Sequence, residues 1–254
     1  MVIGASGEGI CRPVALETLY PQGHNQFVLI VMTDSVLFFN IDDGLFKACF
    51  GQDNEWNCTL KSLPETCSPR ELDDALSVVK SVVIDTIGGP YWERIKQYYE
   101  AGGLVVYFGI IGEFDAPTKL SYEFGLEWRF SAYTRHEYRL TDVGRAVLGH
   151  AVTEQVYSKS NLLSVPASDS ILVPQPPYPS FQSFLDEEWD EEDYSREEMV
   201  AKYNDMIERL NDEVPLAMHQ ATHGGRIAYL GFVNDDGNIP KFVRALCTCS
   251  KTVP

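Results

Sequence analysis

The stretch SVVIDTIGGPYWERIKQYYEAGGLVVYFG, residues 81–109, decides the fold class. It opens with an apolar run over residues 81–85 and closes with another over 104–108, and such runs are typical of strands buried on both faces of a sheet. Between them, a Gly-Gly-Pro turn precedes a helical segment over residues 91–101 that ends at a glycine pair. Because strand, helix and strand follow each other at this spacing, the stretch predicts a right-handed crossover between two parallel strands.

Two further apolar runs and a hairpin extend the predicted sheet beyond this stretch. Residues 27–32, FVLIVM, and residues 56–60 precede it and are predicted to be parallel strands as well. Residues 226–232 follow the turn at Gly224-Gly225 and are predicted to be the second arm of a hairpin. The pattern therefore predicts an α/β fold, a mainly parallel sheet sandwiched by helices.

The whole chain, residues 1–254, is predicted to form a single domain, because it shows no internal repeat and no linker. Residues 150–195 are rich in proline, serine and acids, and we interpret them as a loop-rich acidic insertion. Within it, DEEWDEED at 186–193 is predicted to be a solvated acidic segment. Helix starts are predicted at Ser68 and Ser195, because a glutamate follows each serine three residues later.

Charge restricts the partners that this chain is expected to have. Lysine and arginine number 20, aspartate and glutamate 37, and the formal net charge is −17. Because such a surface repels phosphate groups, we expect neither nucleic acid nor a membrane as a partner. The apolar run at residues 27–40 is also shorter than the roughly 20 residues that span a bilayer. A small polar molecule or another protein is the expected partner.

The cysteines and histidines favour a reducing, cytoplasmic location and no metal. None of the six cysteines forms a C-x-x-C pair and no secretory signal is recognisable, so we expect reduced thiols. His219 and His223 are four residues apart, but the Gly224-Gly225 turn places them at a hairpin rather than on a helix. Neither a metal nor a cofactor is expected.

The candidate site residues follow the predicted strands, because ligands of open parallel sheets bind beyond the carboxyl ends of the strands. Glycines there expose backbone N–H groups to an anion or a polar ligand, and acids there serve as general acids or bases. The candidate ligand-binding residues are Asp34, Gly88, Gly89, Tyr91, Gly109 and Gly112, and the candidate catalytic residues are Glu113 and Asp235.

Each candidate also has a purely structural interpretation. The glycines fit turns or close contacts between strand and helix. Tyr91 fits a residue that packs the helix onto the sheet, and Glu113 fits a carboxylate favoured by a helix N-terminus. The sequence leaves both interpretations open.

Two motifs in this region resemble class I glutamine amidotransferases. Asp85-Thr86-Ile87-Gly88-Gly89-Pro90 resembles the loop that supplies oxyanion-hole N–H groups in that family, and Gly109-Ile110-Ile111-Gly112 resembles the approach to its nucleophile. Gly231-Phe232-Val233-Asn234-Asp235 is loosely similar to the segment that carries its catalytic histidine. Trehalose-utilisation-type proteins, which share the fold without the cysteine, are similar too. The resemblance implies a flavodoxin-like, glutamine amidotransferase-like domain.

The departures from the family motifs bear on function. Ile111 stands at the position of the family's nucleophile and Val233 at that of its base, while Asp235 matches the orienting acid. Isoleucine forms no thiolate and valine accepts no proton, so the family's cysteine–histidine mechanism is not expected.

The sequence therefore predicts a non-catalytic relative of this family that binds a small polar ligand or a protein partner at the strand-end cleft. One alternative is a hydrolase or lyase that acts on a small polar or sugar-like substrate through carboxylates such as Glu113 and Asp235. Another is an interaction module that uses the acidic segment 186–193 against a basic partner. The enzyme alternative requires at least two carboxylates that converge in one cleft.

Overall fold

The computed structural model contains one ten-stranded sheet in the part of the chain that it describes. The described residues are 35–41, 59–109, 115–149, 152, 155–176, 180–188, 195–210, 213–233 and 237–248. The strands are β1 Ser35–Phe39, β2 Thr59–Leu63, β3 Ser81–Ile84, β4 Leu104–Phe108, β5 Arg129–Leu140, β6 Gln155–Ser164, β7 Ser170–Pro174, β8 Glu213–Val214, β9 Leu216–Gln220 and β10 Arg226–Leu230. The α-helices are α1 Pro69–Leu76, α2 Trp92–Glu100, α3 Ala116–Phe124, α4 Asp142–Leu148, α5 Phe181–Glu188, α6 Arg196–Leu210 and α7 Asn238–Thr248.

The sheet has a parallel half and an antiparallel half that meet at β10. Its strand order is β2-β1-β3-β4-β10-β9-β7-β5-β6-β8. The strands from β2 to β10 pair in parallel, whereas every pairing from β10 to β8 is antiparallel. The prediction of a mainly parallel, flavodoxin-like sheet was therefore wrong. The β9–β10 hairpin reverses the strand direction, and the long β5–β6 ladder continues the sheet beyond it.

The decisive stretch folds as its pattern predicts. β3 and β4 are parallel neighbours, with Ser81 opposite Leu104, and α2 connects them. The hairpin at residues 216–230 is also confirmed, since β10 pairs antiparallel with β9 and in parallel with β4. The strand predicted at 56–60 begins at Thr59, and the one predicted at 27–32 lies outside the described residues.

Two differences from the expected elements lie in β1 and in the segment 150–195. Ser35, which lies beyond the strand predicted at residues 27–32, is the first residue of β1; it is buried and its hydroxyl donates to the Val78 carbonyl at 2.8 Å. The segment expected to be rich in loops contributes β6, β7 and α5.

The helix starts at the two serines are confirmed. Ser68 forms a capping box with Glu71, in which each side chain accepts a hydrogen bond from the other residue's backbone N–H. Ser195 and Glu198 make the same pair of bonds at the start of α6. Such caps stabilise a helix by about 1 kcal/mol each.

Helices cover both faces of the sheet. Side chains of α1, α2 and α3 pack on one face, including Leu72, Ile95 and Leu120. Side chains of α4 and α7 pack on the other, including Val147 and Phe242. None of the described helices combines the length and the apolar character that a membrane-spanning helix needs.

Candidate functional site

The predicted ligand-binding glycines that the structure describes, Gly88, Gly89 and Gly109, lie just beyond the carboxyl ends of parallel strands. We call this side of the sheet the carboxyl edge. Gly88 and Gly89 follow β3, and Gly109 follows β4. Because β3 and β4 are adjacent and parallel, the loops that follow them begin side by side. The other candidates, together with the nucleophile position, lie outside the described residues: Asp34, Ile111, Gly112, Glu113 and Asp235.

The Gly88-Gly89 loop is exposed, and the carboxylate of Glu65 lies beside its backbone. Both glycines have positive φ angles, 103° and 85°. The Oε1 atom of Glu65 lies only 2.6 Å from where a Cβ of residue 89 would stand, whereas the space around Gly88 is empty. An anion at this loop would meet the Glu65 carboxylate, so the geometry favours a neutral or cationic ligand over an anion.

Tyr91 has a structural role in the described residues. Its hydroxyl donates to the Cys67 carbonyl at 2.5 Å, and its ring meets Phe39 edge to face at 6.1 Å. The residue also forms the N-cap of α2 without a side-chain capping bond. Tyr91 therefore links the start of α2 to Cys67 and to Phe39 of β1.

Gly109 lies beside two tyrosines that the sequence analysis did not single out. Tyr107 and Tyr229 face each other across β4 and β10, with stacked rings 5.8 Å apart. Their hydroxyl oxygens lie 3.9 and 3.7 Å from where a Cβ of Gly109 would stand. Both tyrosines are almost fully buried. Two buried phenol groups therefore lie next to Gly109 at the carboxyl edge.

Asn161 of β6 joins this group. Its backbone N–H donates to the Gly231 carbonyl at 2.8 Å, because residues 231–233 leave β10 and pair with β6. Burial raises the pKa of Tyr229, and a hydrogen bond with the Asn161 side chain partly offsets that effect. Asn161 is 1 % exposed, and no described residue donates a hydrogen bond to its Oδ1 atom.

Val233, at the family's base position, is buried. Its backbone N–H donates to the Lys159 carbonyl at 3.0 Å. The pairing with β6 therefore holds this position in the sheet, and it presents no group that accepts a proton. No sequence signal pointed to β6 here, because the contact joins segments about 70 residues apart.

A second polar group lies at the opposite edge, around the β9–β10 turn. A cavity of about 260 Å³ there is lined by Tyr99, Phe124, His219 and His223, among others. His219 Nδ1 lies 3.1 Å from the carboxylate of Asp169, a buried residue to which the Trp128 indole donates at 2.8 Å. As predicted, the two histidines lie at a hairpin rather than on a helix: His219 is on β9 and His223 is in the turn. Among the described residues, no three His, Cys, Asp or Glu side chains form a metal-binding group.

No protein-family model matches the chain, and no curated protein matches its sequence. Kinship with glutamine amidotransferases therefore stays a proposal drawn from residues 85–90 and 109–112.

Proposed function

We propose that the chain is a non-catalytic relative of the glutamine amidotransferases that binds a small polar molecule at the carboxyl edge. The observation that carries the proposal is the buried Oδ1 atom of Asn161, which no described donor reaches. Buried polar atoms in native proteins nearly always have a partner, and one left without costs about 1–3 kcal/mol. A buried water, or a bound molecule with an N–H or O–H group in its place, would supply that partner.

The neighbouring groups define what such a molecule needs. The hydroxyls of Tyr107 and Tyr229 lie beside Gly109, and burial raises the pKa of Tyr229, so its hydroxyl keeps its proton at neutral pH. A phenol donates as well as accepts, while the amide oxygen of Asn161 only accepts. The cluster therefore suits a small molecule that carries both donors and acceptors, such as an amide or a polyol.

Charge argues against an anionic ligand. The Glu65 carboxylate lies against Gly89, and the net charge of the chain is −17. Both raise the free energy of an anion near this edge. We therefore propose a neutral polar ligand rather than a phosphate or a carboxylate.

Binding without the family's chemistry is supported by two positions. Val233 has no titratable group and lies in the sheet, and residue 111 is an isoleucine. A nucleophile that is activated by an oriented base needs both parts. Turnover through Glu113 and Asp235 is the alternative that the following experiment distinguishes.

The test is a calorimetric and thermal-shift screen of small amides and polyols against carboxylates and phosphate. We expect a neutral compound to bind the wild type and to bind Tyr229→Phe and Asn161→Leu at least about tenfold more weakly, since each loses one hydrogen bond. Tyr122→Phe is the matched control, because its phenol is 86 % exposed and remote from this edge.

The same screen decides between the alternatives. If an anion binds best, or if all three variants bind like the wild type, the proposal is wrong. Product formation in a bound sample would favour the carboxylate enzyme. Binding of a basic protein without any small ligand would favour the interaction module.

A further inference from the structure

The cavity at the β9–β10 turn is a second candidate site, independent of the carboxyl edge. It lies between the ends of α2 and α3 and the turn that joins β9 to β10. Its volume of about 260 Å³ is large enough for a small organic molecule rather than a single water.

Asp169 fixes the tautomer of His219. The two oxygens of this carboxylate lie 3.1 and 3.3 Å from His219 Nδ1. A carboxylate accepts and does not donate, so Nδ1 carries a proton. In the neutral ring, Nε2 is then a hydrogen-bond acceptor.

The carboxylate of Asp169 is itself held in place. The Trp128 indole donates to Oδ2 at 2.8 Å, and the Ser168 hydroxyl donates to Oδ1 at 3.2 Å. Asp169 and Trp128 are both buried, so this orienting contact is shielded from water.

His223 has the opposite tautomer. Its Nδ1 accepts a hydrogen bond from the Gly225 backbone N–H at 3.2 Å. The neutral ring therefore carries its proton on Nε2. The Nε2 atom of His219 is thus a hydrogen-bond acceptor, whereas that of His223 is a donor.

Negative charge predominates around the cavity. Lys96 lines it, but its ammonium is held by Glu93 at 3.0 Å and by Glu123 at 3.1 Å. The nearby Trp92 indole and the Lys96 ammonium lower the pKa of Glu123, so this lining carboxylate is ionised at neutral pH. Glu100, also in the lining, is exposed.

Aromatic rings form the remaining wall. Tyr99 contacts Phe124 edge to face at 4.8 Å and His223 at 5.0 Å. Burial, and then the charge of Asp169, raise the pKa of Tyr99, so this phenol stays neutral. Aromatic faces beside carboxylates are the surroundings that organic cations bind.

From this geometry we infer that the cavity binds a small organic ammonium whose N–H groups donate to His219 Nε2 and to the carboxylates of Glu100 and Glu123. The net charge of −17 attracts such a cation to the protein. An anion would meet those carboxylates, and a cation without N–H groups would leave His219 Nε2 without a donor.

The test titrates the full chain with putrescine, with tetramethylammonium and with acetate, by calorimetry and by ¹⁵N NMR of the histidine rings. Putrescine is expected to bind at least about tenfold more tightly than tetramethylammonium and than fully N-methylated putrescine, which has the same charge, because only putrescine donates hydrogen bonds. It should shift the His219 Nε2 resonance, and acetate should bind to no measurable extent. The inference fails if tetramethylammonium or acetate binds as well as putrescine.

Asp169→Asn tests the role of the tautomer. The Trp128 N–H retains the amide oxygen at the Oδ2 position, so the amide N–H₂ replaces Oδ1, and the negative charge that favours a proton on His219 Nδ1 is lost. Putrescine affinity should then fall at least about threefold, in step with the fraction of the Nε2–H tautomer in the ¹⁵N spectrum. Asp74→Asn, which changes an exposed acid of α1, is the matched control.

Glu100→Gln keeps the inference falsifiable if Asp169→Asn does not fold. Glu100 is exposed, so the variant should fold normally and bind putrescine about threefold more weakly. Unchanged affinity in every folded variant would overturn the inference. Nα-acetyl-lysine amide, titrated in parallel, distinguishes a free amine from a lysine side chain of another protein as the source of the ammonium.

Discussion

The two ends of β10 differ in whether their buried polar groups have hydrogen-bond partners. At its amino end, the Asp169 carboxylate has donors in Trp128, Ser168 and His219. At its carboxyl end, Asn161 Oδ1 has no donor among the described residues. Because a buried polar atom without a partner is costly, the Asp169 carboxylate is already satisfied by protein donors, whereas Asn161 Oδ1 needs a further molecule. Replacing Asp169 should therefore lower the free energy of unfolding more than replacing Asn161.

The largest expected effect is at the amino end. Asp169→Ala leaves the buried Trp128 N–H without its acceptor and removes the partner of His219 Nδ1. We expect a loss of about 2–3 kcal/mol in the free energy of unfolding, measured with urea. Asp74→Ala, at an exposed ion pair, should cost less than about 0.5 kcal/mol. Equal losses in the two variants would contradict the comparison.

The next largest loss of stability is expected from alanine substitutions at the two glycines that flank β10. A Cβ at Gly225 would lie 2.2 Å from the Tyr99 carbonyl oxygen, and one at Gly231 would lie 2.2 Å from the Asn161 carbonyl oxygen. Backbone atoms do not move aside as side-chain ends do, so each alanine variant should lose about 1–3 kcal/mol.

Gly224→Ala separates that clash from backbone strain. Gly224 has a φ of 93° and empty space around it, so its variant should lose only about 1–2 kcal/mol from the left-handed conformation. If Gly224→Ala costs more than both flanking variants, strain rather than close packing limits the two ends.

A smaller effect on stability is expected from a histidine on β5, away from both ends of β10, and a pH titration measures it. Burial lowers the pKa of His136 on β5. The unfolded chain therefore binds this proton more readily, and stability falls as the pH drops below the ordinary histidine value of about 6.5. His136→Gln should show a flatter stability profile between pH 7 and pH 5.

The helix caps lose stability in a separate, more acidic window. Hydrogen bonds from the Ser68 backbone and then its side chain lower the pKa of Glu71 below the ordinary value of 4.5. The contribution of that cap is present above this value and is lost as the pH falls through the lowered pKa. A His136→Gln profile that still falls between pH 7 and pH 5 would show that another group titrates there.

The smallest effect is expected at the carboxyl end. Asn161→Leu removes the unsatisfied oxygen together with the bond to Tyr229, so unfolding without ligand should change by less than about 1 kcal/mol. Urea unfolding in a ligand-free buffer measures this. A loss as large as that of Asp169→Ala would mean that Asn161 is satisfied within the protein.

The sequence predicts those parts of the molecule that local patterns determine. The unit at residues 81–109 follows from two apolar runs around a helix, and the caps at Ser68 and Ser195 follow from a serine and a glutamate three residues apart. Each signal lies within one short window, and the structure uses it there.

The antiparallel half follows from pairings that no short window contains. β5 alternates buried and exposed residues toward its end, but its partners β6 and β7 come from a segment whose composition indicates loops. Asn161 and Asp169 acquire their surroundings only when β6 and β9 join the sheet. In the sequence a serine precedes Asn161 and serines stand on both sides of Asp169, so no local pattern marks either residue as buried, and their partners depend on the topology.

The place of β10 in the sheet also has a consequence for how the chain folds. It follows the other nine described strands in sequence, yet it occupies the centre, between β4 and β9. Its parallel partner β4 lies about 120 residues earlier, and pairings over such separations are slow to form. Until residues 226–230 emerge from the ribosome, the apolar strand β4 lacks a partner on one side. Synthesis that stops before β10 should therefore leave an unpaired strand edge, which is the feature that recruits other chains into aggregates.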